Sequence, residues 1–288
     1  VVDRIEDADW VLMANARNVH RLVGRVANIL IYTHEPRYAI GRARREVQGG
    51  TTIHTYDLSL GDFPDVWHLY VLVHPQPYTD PAAGRRAGTV QVARNQPDLA
   101  RAHPADLLGL RAELAEYGVK RGLLDLFGRG WEPLPTRVEA PNPGATRNWA
   151  ELKHESLGAY RYNIALENTY LPHYVSEKFW QAPQAGCLPV YLGSPWMDRL
   201  VDPALYVDLR DHASPASLFG ELRRIPEPDR VRRVRALQQR LTELRAIANP
   251  HVRDDWRRDA VWTLMDLHAQ AVFSAGPWGR SNADPGQT

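Results

Sequence analysis

The stretch that decides the fold runs Tyr162-Asn163-Ile164-Ala165-Leu166-Glu167-Asn168, passes through residues 169–175, and enters Ser176-Glu177-Lys178-Phe179-Trp180. It reads as strand, loop and helix. Gly186 stops the helix, and Cys187-Leu188-Pro189-Val190-Tyr191-Leu192-Gly193 opens the next strand. In a parallel α/β sheet the loop after a strand lies at its carboxyl end, where ligands bind. Ser176 is a good N-cap for a helix over 177–185. The free N–H groups and partial positive charge of such a helix start form a seat for a diphosphate. Lys178 adds a full charge there. A cation in the first turn opposes the helix dipole, so helix stability does not account for it, whereas an anionic ligand does. Glu177 has two readings: an acid that favours the dipole and supports the cap, or an acceptor for ribose hydroxyls. Asn168 and Tyr174 flank the loop, and taken alone they are a turn residue and a packed aromatic. Pro183 removes a backbone hydrogen bond, so the helix is expected to be kinked or short.

Working outward, short apolar runs alternate with helical patterns. Residues 8–13 and 26–32 read as buried strands, and 66–73 is a third apolar run. Two X-Pro pairs and a Gly make 74–86 the best linker. Beyond it come a strand at 89–92, a helix at 106–117, a strand at 123–127 and a Pro- and Gly-rich loop at 128–148. Strands at 162–166, 188–192 and 205–209 follow, and such alternation predicts βαβ units and a parallel sheet. In 231–247, Val231, Val234, Leu237, Leu241, Leu244 and Ile247 define one helix face. Arg230, Arg232, Arg233 and Arg235 are assigned to the rest of that helix. A solvated face is the plain reading; a basic patch for an anionic acceptor or a membrane surface is the sharper one.

At 288 residues with 44% apolar content, the chain is expected to form about two domains with a real core. The formal net charge of +1 gives no reason to expect a nucleic acid or an anionic membrane as partner. Cys187 is the single cysteine, so no intrachain disulfide forms, and a cytoplasmic, reducing setting is expected. Only Lys120, Lys153 and Lys178 are lysines; every other basic residue besides histidine is Arg. No acidic metal motif stands out, and His34, His54, His68 and His74 fit no common zinc spacing.

Ala165-Leu166-Glu167-Asn168, Tyr174-Val175-Ser176-Glu177-Lys178 and Gly186-Cys187-Leu188-Pro189-Val190-Tyr191-Leu192-Gly193-Ser194-Pro195 together resemble the signature of the α1,3/α1,4-fucosyltransferases, glycosyltransferase family 10. Ile31-Tyr32-Thr33-His34-Glu35-Pro36 resembles the strand end that carries the family's proposed catalytic Glu. Thr89 to Asn95 resembles the opening strand of the donor domain, and Arg111 falls where a phosphate-binding Arg follows. Ala93-Arg94 departs from the usual residues before Asn95.

The resemblance implies two Rossmann-like lobes of the GT-B type with a helical C-terminal region. Residues 1–84 would be an acceptor-side lobe incomplete at its start, 85–270 the donor lobe with C-terminal helices, and 271–288 a flexible tail. It also implies an inverting fucosyltransferase moving L-fucose from GDP-fucose to a glycan hydroxyl, without a metal. Glu35 would be the catalytic base. Arg111, Asn168, Tyr174, Ser176, Glu177 and Lys178 would bind the nucleotide sugar. The expected partners are a nucleotide sugar and a glycan acceptor, with peripheral membrane contact through the Arg-rich helix and no nucleic acid. Three rival readings are a relative using another nucleotide sugar, a non-catalytic sugar-binding homologue, and an Arg-rich nucleic-acid-binding protein.

Overall fold

The computed structural model describes residues 4, 7–13, 18–33, 43–57, 76–84, 88–95, 105–137, 149–171 and 174–248. The chain divides into two compact units, one containing Val1–Val66 and the other Trp67–His251. The expected strand at 66–73, the catalytic candidate Glu35 and the tail at 271–288 lie outside the described residues.

In the first unit, β1 (Trp10–Met13), β2 (Asn28–Thr33) and β4 (Thr51–Asp57) pair in parallel. A fourth strand, β3 (Ala43–Gln48), runs antiparallel to β4 on the sheet edge, which the all-parallel expectation did not include. Gln48 pairs with Thr51, so Gly49-Gly50 is a two-residue hairpin turn. Both glycines have positive φ, as a type I′ turn requires. Val26, Ile29, Ile31 and Ile53 form the core, and Val11, Met13, Val19, Leu22 and Val23 pack against it.

The second unit is built on a wholly parallel sheet in the order β6-β5-β7-β8-β9. Its strands are β5 (Thr89–Val92), β6 (Leu124–Phe127), β7 (Tyr162–Ile164), β8 (Leu188–Tyr191) and β9 (Val207–Asp208). The helices are α1 (Leu108–Lys120), α2 (Trp149–Gly158), α3 (Glu177–Gln184), α4 (Met197–Leu200), α5 (Pro215–Arg224) and α6 (Glu227–Ala248). Helices cover both faces. Val90 on β5 packs with Leu157 of α2 and Ala182 of α3. Leu124, one register step away on β6 and therefore on the opposite face, meets Gly118 of α1. A Cβ on Gly118 would lie 2.6 Å from Leu124 Cβ and 2.8 Å from the Phe219 ring of α5, so glycine is what allows this close contact.

The chain moves from β5 to β6 on one side, then returns to place β7 on the other. The crevice at the carboxyl ends of β5 and β7 is therefore the topological switch point, where open α/β sheets bind ligands.

The start of α3 follows the expectation. Pro183 is the penultimate helical residue, and Ala185 is the C-cap. Gly186 has φ +75°, its N–H donates to Pro183 O at 2.9 Å, and Cys187 N–H donates to Ala182 O at 2.9 Å. That is a Schellman ending set by Gly186, and Pro183 falls within its last turn. Phe179 and Trp180 are fully buried, and Phe179 meets Tyr191 and Tyr206 edge-on. Each such side chain contributes about 1.5–3 kcal/mol of burial.

The linker and the Arg run both need correction. The division falls between Val66 and Trp67, ahead of the expected boundary at residue 84. Residues 76–84 are fastened to the second unit: Gln76 N–H donates to Gln184 Oε1, Thr79 N–H to Gln184 O, and Gln238 Nε2 to Thr79 O. Arg230 is not on a solvated face. It is fully buried, one turn ahead of Val234 on the same stripe as Leu237, Leu241 and Leu244, and it donates to the carbonyls of Gly186 and Pro81 and to Glu227. The helix begins at Glu227, so Arg230 lies within it and continues the apolar stripe by one step of four. Arg232 and Arg233 pair with Asp229, and Arg235 pairs with Asp80. Among the described residues no helix is long and apolar enough to cross a membrane.

Candidate functional site

The loop after β7 carries the site, and hydrogen bonds tie its described residues to neighbouring elements. Leu107 N–H donates to Asn168 O at 3.0 Å and Tyr170 N–H donates to Ala105 O at 2.7 Å, so the loop is clamped against the lead-in to α1. Arg111, on the first turn of α1 and buried, adds a second clamp. Its Nη2 donates to the carbonyls of Leu166 and Glu167, each at 2.9 Å, and to Asn168 Oδ1 at 2.8 Å. Burial lowers the Arg111 pKa, with Glu167, Tyr174, Asp106 and Glu177 opposing that shift.

Glu167 is fully buried, and the start of α3 is organised around it. Its Oε1 accepts from Ser176 N–H at 2.7 Å and from the Tyr191 hydroxyl at 3.3 Å. Its Oε2 accepts from Ser176 Oγ at 2.5 Å and from Lys178 Nζ at 3.4 Å. Ser176 is extended (φ −101°, ψ −177°), and its Oγ accepts from Lys178 N–H, which is the expected N-cap. Lys178 Nζ also donates to Ser176 Oγ at 2.8 Å and lies 3.6 Å from Glu177 Oε1. Burial alone would lower the Lys178 ammonium; Glu177, Tyr174 and Glu167 outweigh it and hold the group above its ordinary range. Burial and the adjacent Glu167 carboxylate push the Tyr191 phenol well above its usual value. The space beside Glu167 is fully used. A Cβ on Gly193 would sit 2.3 Å from the Tyr191 hydroxyl and 2.5 Å from Glu167 Cγ.

Six of the seven expected site residues therefore gather at this switch point: Arg111, Asn168, Tyr174, Ser176, Glu177 and Lys178. The seventh, Glu35, lies outside the described residues; β2 ends two positions before it, at Thr33. One inference needs correcting. Lys178 does not require a ligand to account for its place against the helix dipole, because Glu167 and Glu177 already provide two carboxylates. Sequence reasoning gave Glu167 no role beyond its place in a motif, and it passed over Lys153. That lysine lies on α2 and interacts electrostatically with Glu177, Lys178, Glu167 and Arg111. Its signal was compositional, since it is one of three lysines in a chain that otherwise uses Arg.

A parallel sheet whose switch point opens on a capped helix start and several cations has the form of a domain for phosphate-bearing ligands. Residues 124–233 match the model of the glycosyltransferase family 10 (fucosyltransferase) C-terminal domain. The 3-galactosyl-N-acetylglucosaminide 4-alpha-L-fucosyltransferase FUT3 of Pan troglodytes is 26% identical over 144 residues, 43% of this chain and 35% of that protein. The human GDP-fucose protein O-fucosyltransferase 3 is 32% identical over 76 residues, 26% of this chain and 16% of that protein. The matched region thus spans about a third or less of these relatives' length. Among solved structures, an alpha1,3-fucosyltransferase with GDP-fucose aligns at a TM-score of 0.43 and 16% identity, over 90% of this chain and 78% of that one. At that level the likeness carries no argument.

Proposed function

We propose that the chain is an inverting glycosyltransferase of the GT-B type that moves L-fucose from GDP-fucose to a glycan hydroxyl. The observation that supports this best is the start of α3 at the switch point, where Ser176, Glu177 and Lys178 stand together beside the Arg111-clamped loop. The free N–H groups of the first turn and the Lys178 ammonium would take up charge developing on the leaving diphosphate, in the place a metal fills in other transferases. Glu177 would accept from ribose hydroxyls, while Asn168 and Tyr174 would border the nucleotide. Glu35 would take the proton from the acceptor hydroxyl as the sugar is displaced in a single inverting step. Membrane contact through the Arg-rich helix is not part of this reading, because Arg230, Arg232, Arg233 and Arg235 are engaged with neighbouring groups.

A thermal-shift screen over GDP, UDP, CDP and their sugar conjugates tests the reading. GDP and GDP-fucose are expected to raise the melting temperature, since a ligand at about 100 times its Kd adds about 2.7 kcal/mol. A shift with UDP or CDP alone would transfer the site to another donor, and no shift with any nucleotide would remove the function.

A further inference from the structure

Lys153 sits where an apolar residue would be expected. On α2 it lies between Ala150 and Leu157, both buried, on the stripe at steps of three and four that faces α3. The two helices meet at their C-terminal ends. Leu157, near the end of α2, has its carbonyl 2.9 Å from Cys187 Sγ, just beyond the end of α3. Leu157 also shares a cluster with Ala182 and Ala185. One turn back along α2, Lys153 lies within electrostatic reach of Glu177 and Lys178 at the start of α3.

We infer that Lys153 is a further cation of the diphosphate seat, supplied by α2 to the start of α3 and acting with Lys178 on the leaving diphosphate. The inference rests on the donor-site reading above and names a residue that reading lacks. The charge balance supports it. Charged groups that act on Lys153 include Glu177 and Lys178 of α3, Glu167 of the loop after β7, and Arg111 of α1. Two of these are acids and two are bases, and a charged Lys153 adds a further cation to them. Burial, aided by Lys178 and Arg111 and opposed by Glu177 and Glu167, brings its ammonium down to about 8. It is therefore charged below that value and neutral above it, and an incoming diphosphate would favour the charged form.

The test is calorimetric titration of GDP and of guanosine at about pH 7 and about pH 9, using the parent chain, Lys153→Met and Lys153→Arg. Methionine keeps the length and apolar stem that the stripe accommodates. Arginine keeps a charge at both pH values. At about pH 7, Lys153→Met is expected to weaken GDP about tenfold and leave guanosine unchanged, while Lys153→Arg retains GDP affinity. On going to about pH 9, the parent is expected to lose more GDP affinity than Lys153→Arg does, which cancels the nucleotide's own titration. If the parent binds GDP and Lys153→Met binds it equally well at both pH values, the Lys153 assignment is overturned and the donor site stands. If the parent binds no GDP at either pH, the donor-site reading falls, and the assignment with it.

Discussion

Glu167→Ala is expected to destabilise the second unit by about 3–5 kcal/mol, the cost of removing one member of a buried, hydrogen-bonded charge pair. Glu167 is fully buried and accepts from Ser176 N–H, Ser176 Oγ, Tyr191 OH and Lys178 Nζ. Alanine leaves those donors facing one another, with Glu177 as the remaining carboxylate near the ammonium. For a unit of this size each kcal/mol lowers the melting temperature by roughly 2–4 °C, so a fall of roughly 6–20 °C is expected. Glu167→Gln retains an acceptor for Ser176 N–H but turns an amide donor toward the other groups, and its loss should be smaller. Thermal denaturation followed by circular dichroism measures both. A melting temperature within about a degree of the parent for the alanine variant would mean that the carboxylate does not organise the start of α3.

Glu35→Gln is expected to lower the transfer rate constant about 10²–10⁴-fold while GDP affinity stays unchanged. The proposed base follows the end of β2 by two residues and belongs to the first unit, whereas the nucleotide contacts proposed above belong to the second. Glutamine preserves the shape of the carboxylate but is a poor proton acceptor. Turnover of GDP-fucose with a glycan acceptor measures the rate, and GDP titration measures the affinity. Transfer at the parent rate would assign the proton to another group. A parallel loss of GDP affinity would mean that Glu35 serves donor binding instead.

The second unit was largely legible because its local signals agree with its global fold. Ser176 caps α3, Gly186 ends it in a left-handed turn, and the apolar runs on either side become the central strands β7 and β8. Other elements escaped because their signals are weak or polar. Among its described side chains, the helix α2, Trp-Ala-Glu-Leu-Lys-His-Glu-Ser-Leu-Gly, buries Ala150 and Leu157, with Lys153 between them. The edge strand β3, Ala-Arg-Arg-Glu-Val-Gln, is too charged to read as a strand, although Gly49-Gly50 marked its hairpin. Start signals were also available for α5, where Ser214 and Ser217 form a capping box around Pro215. The buried Arg230 was hidden by a different cause. A guanidinium on the inner stripe is tolerated only because carbonyls and Glu227 from three parts of the chain meet it, and helix periodicity alone does not reveal such partners.

Lys178 carries the central claim, because its observed pairing with Glu167 stands against the proposed role of receiving a diphosphate. Calorimetric titration of GDP and guanosine into the parent chain and Lys178→Gln, below the melting onset of the variant, separates them. Loss of a charged hydrogen bond to phosphate is worth about 1.5–3 kcal/mol. GDP affinity should therefore fall roughly ten- to a hundredfold, with guanosine affinity unchanged. Equal GDP affinity in parent and variant would contradict the account and leave Lys178 as the counter-ion of Glu167 alone.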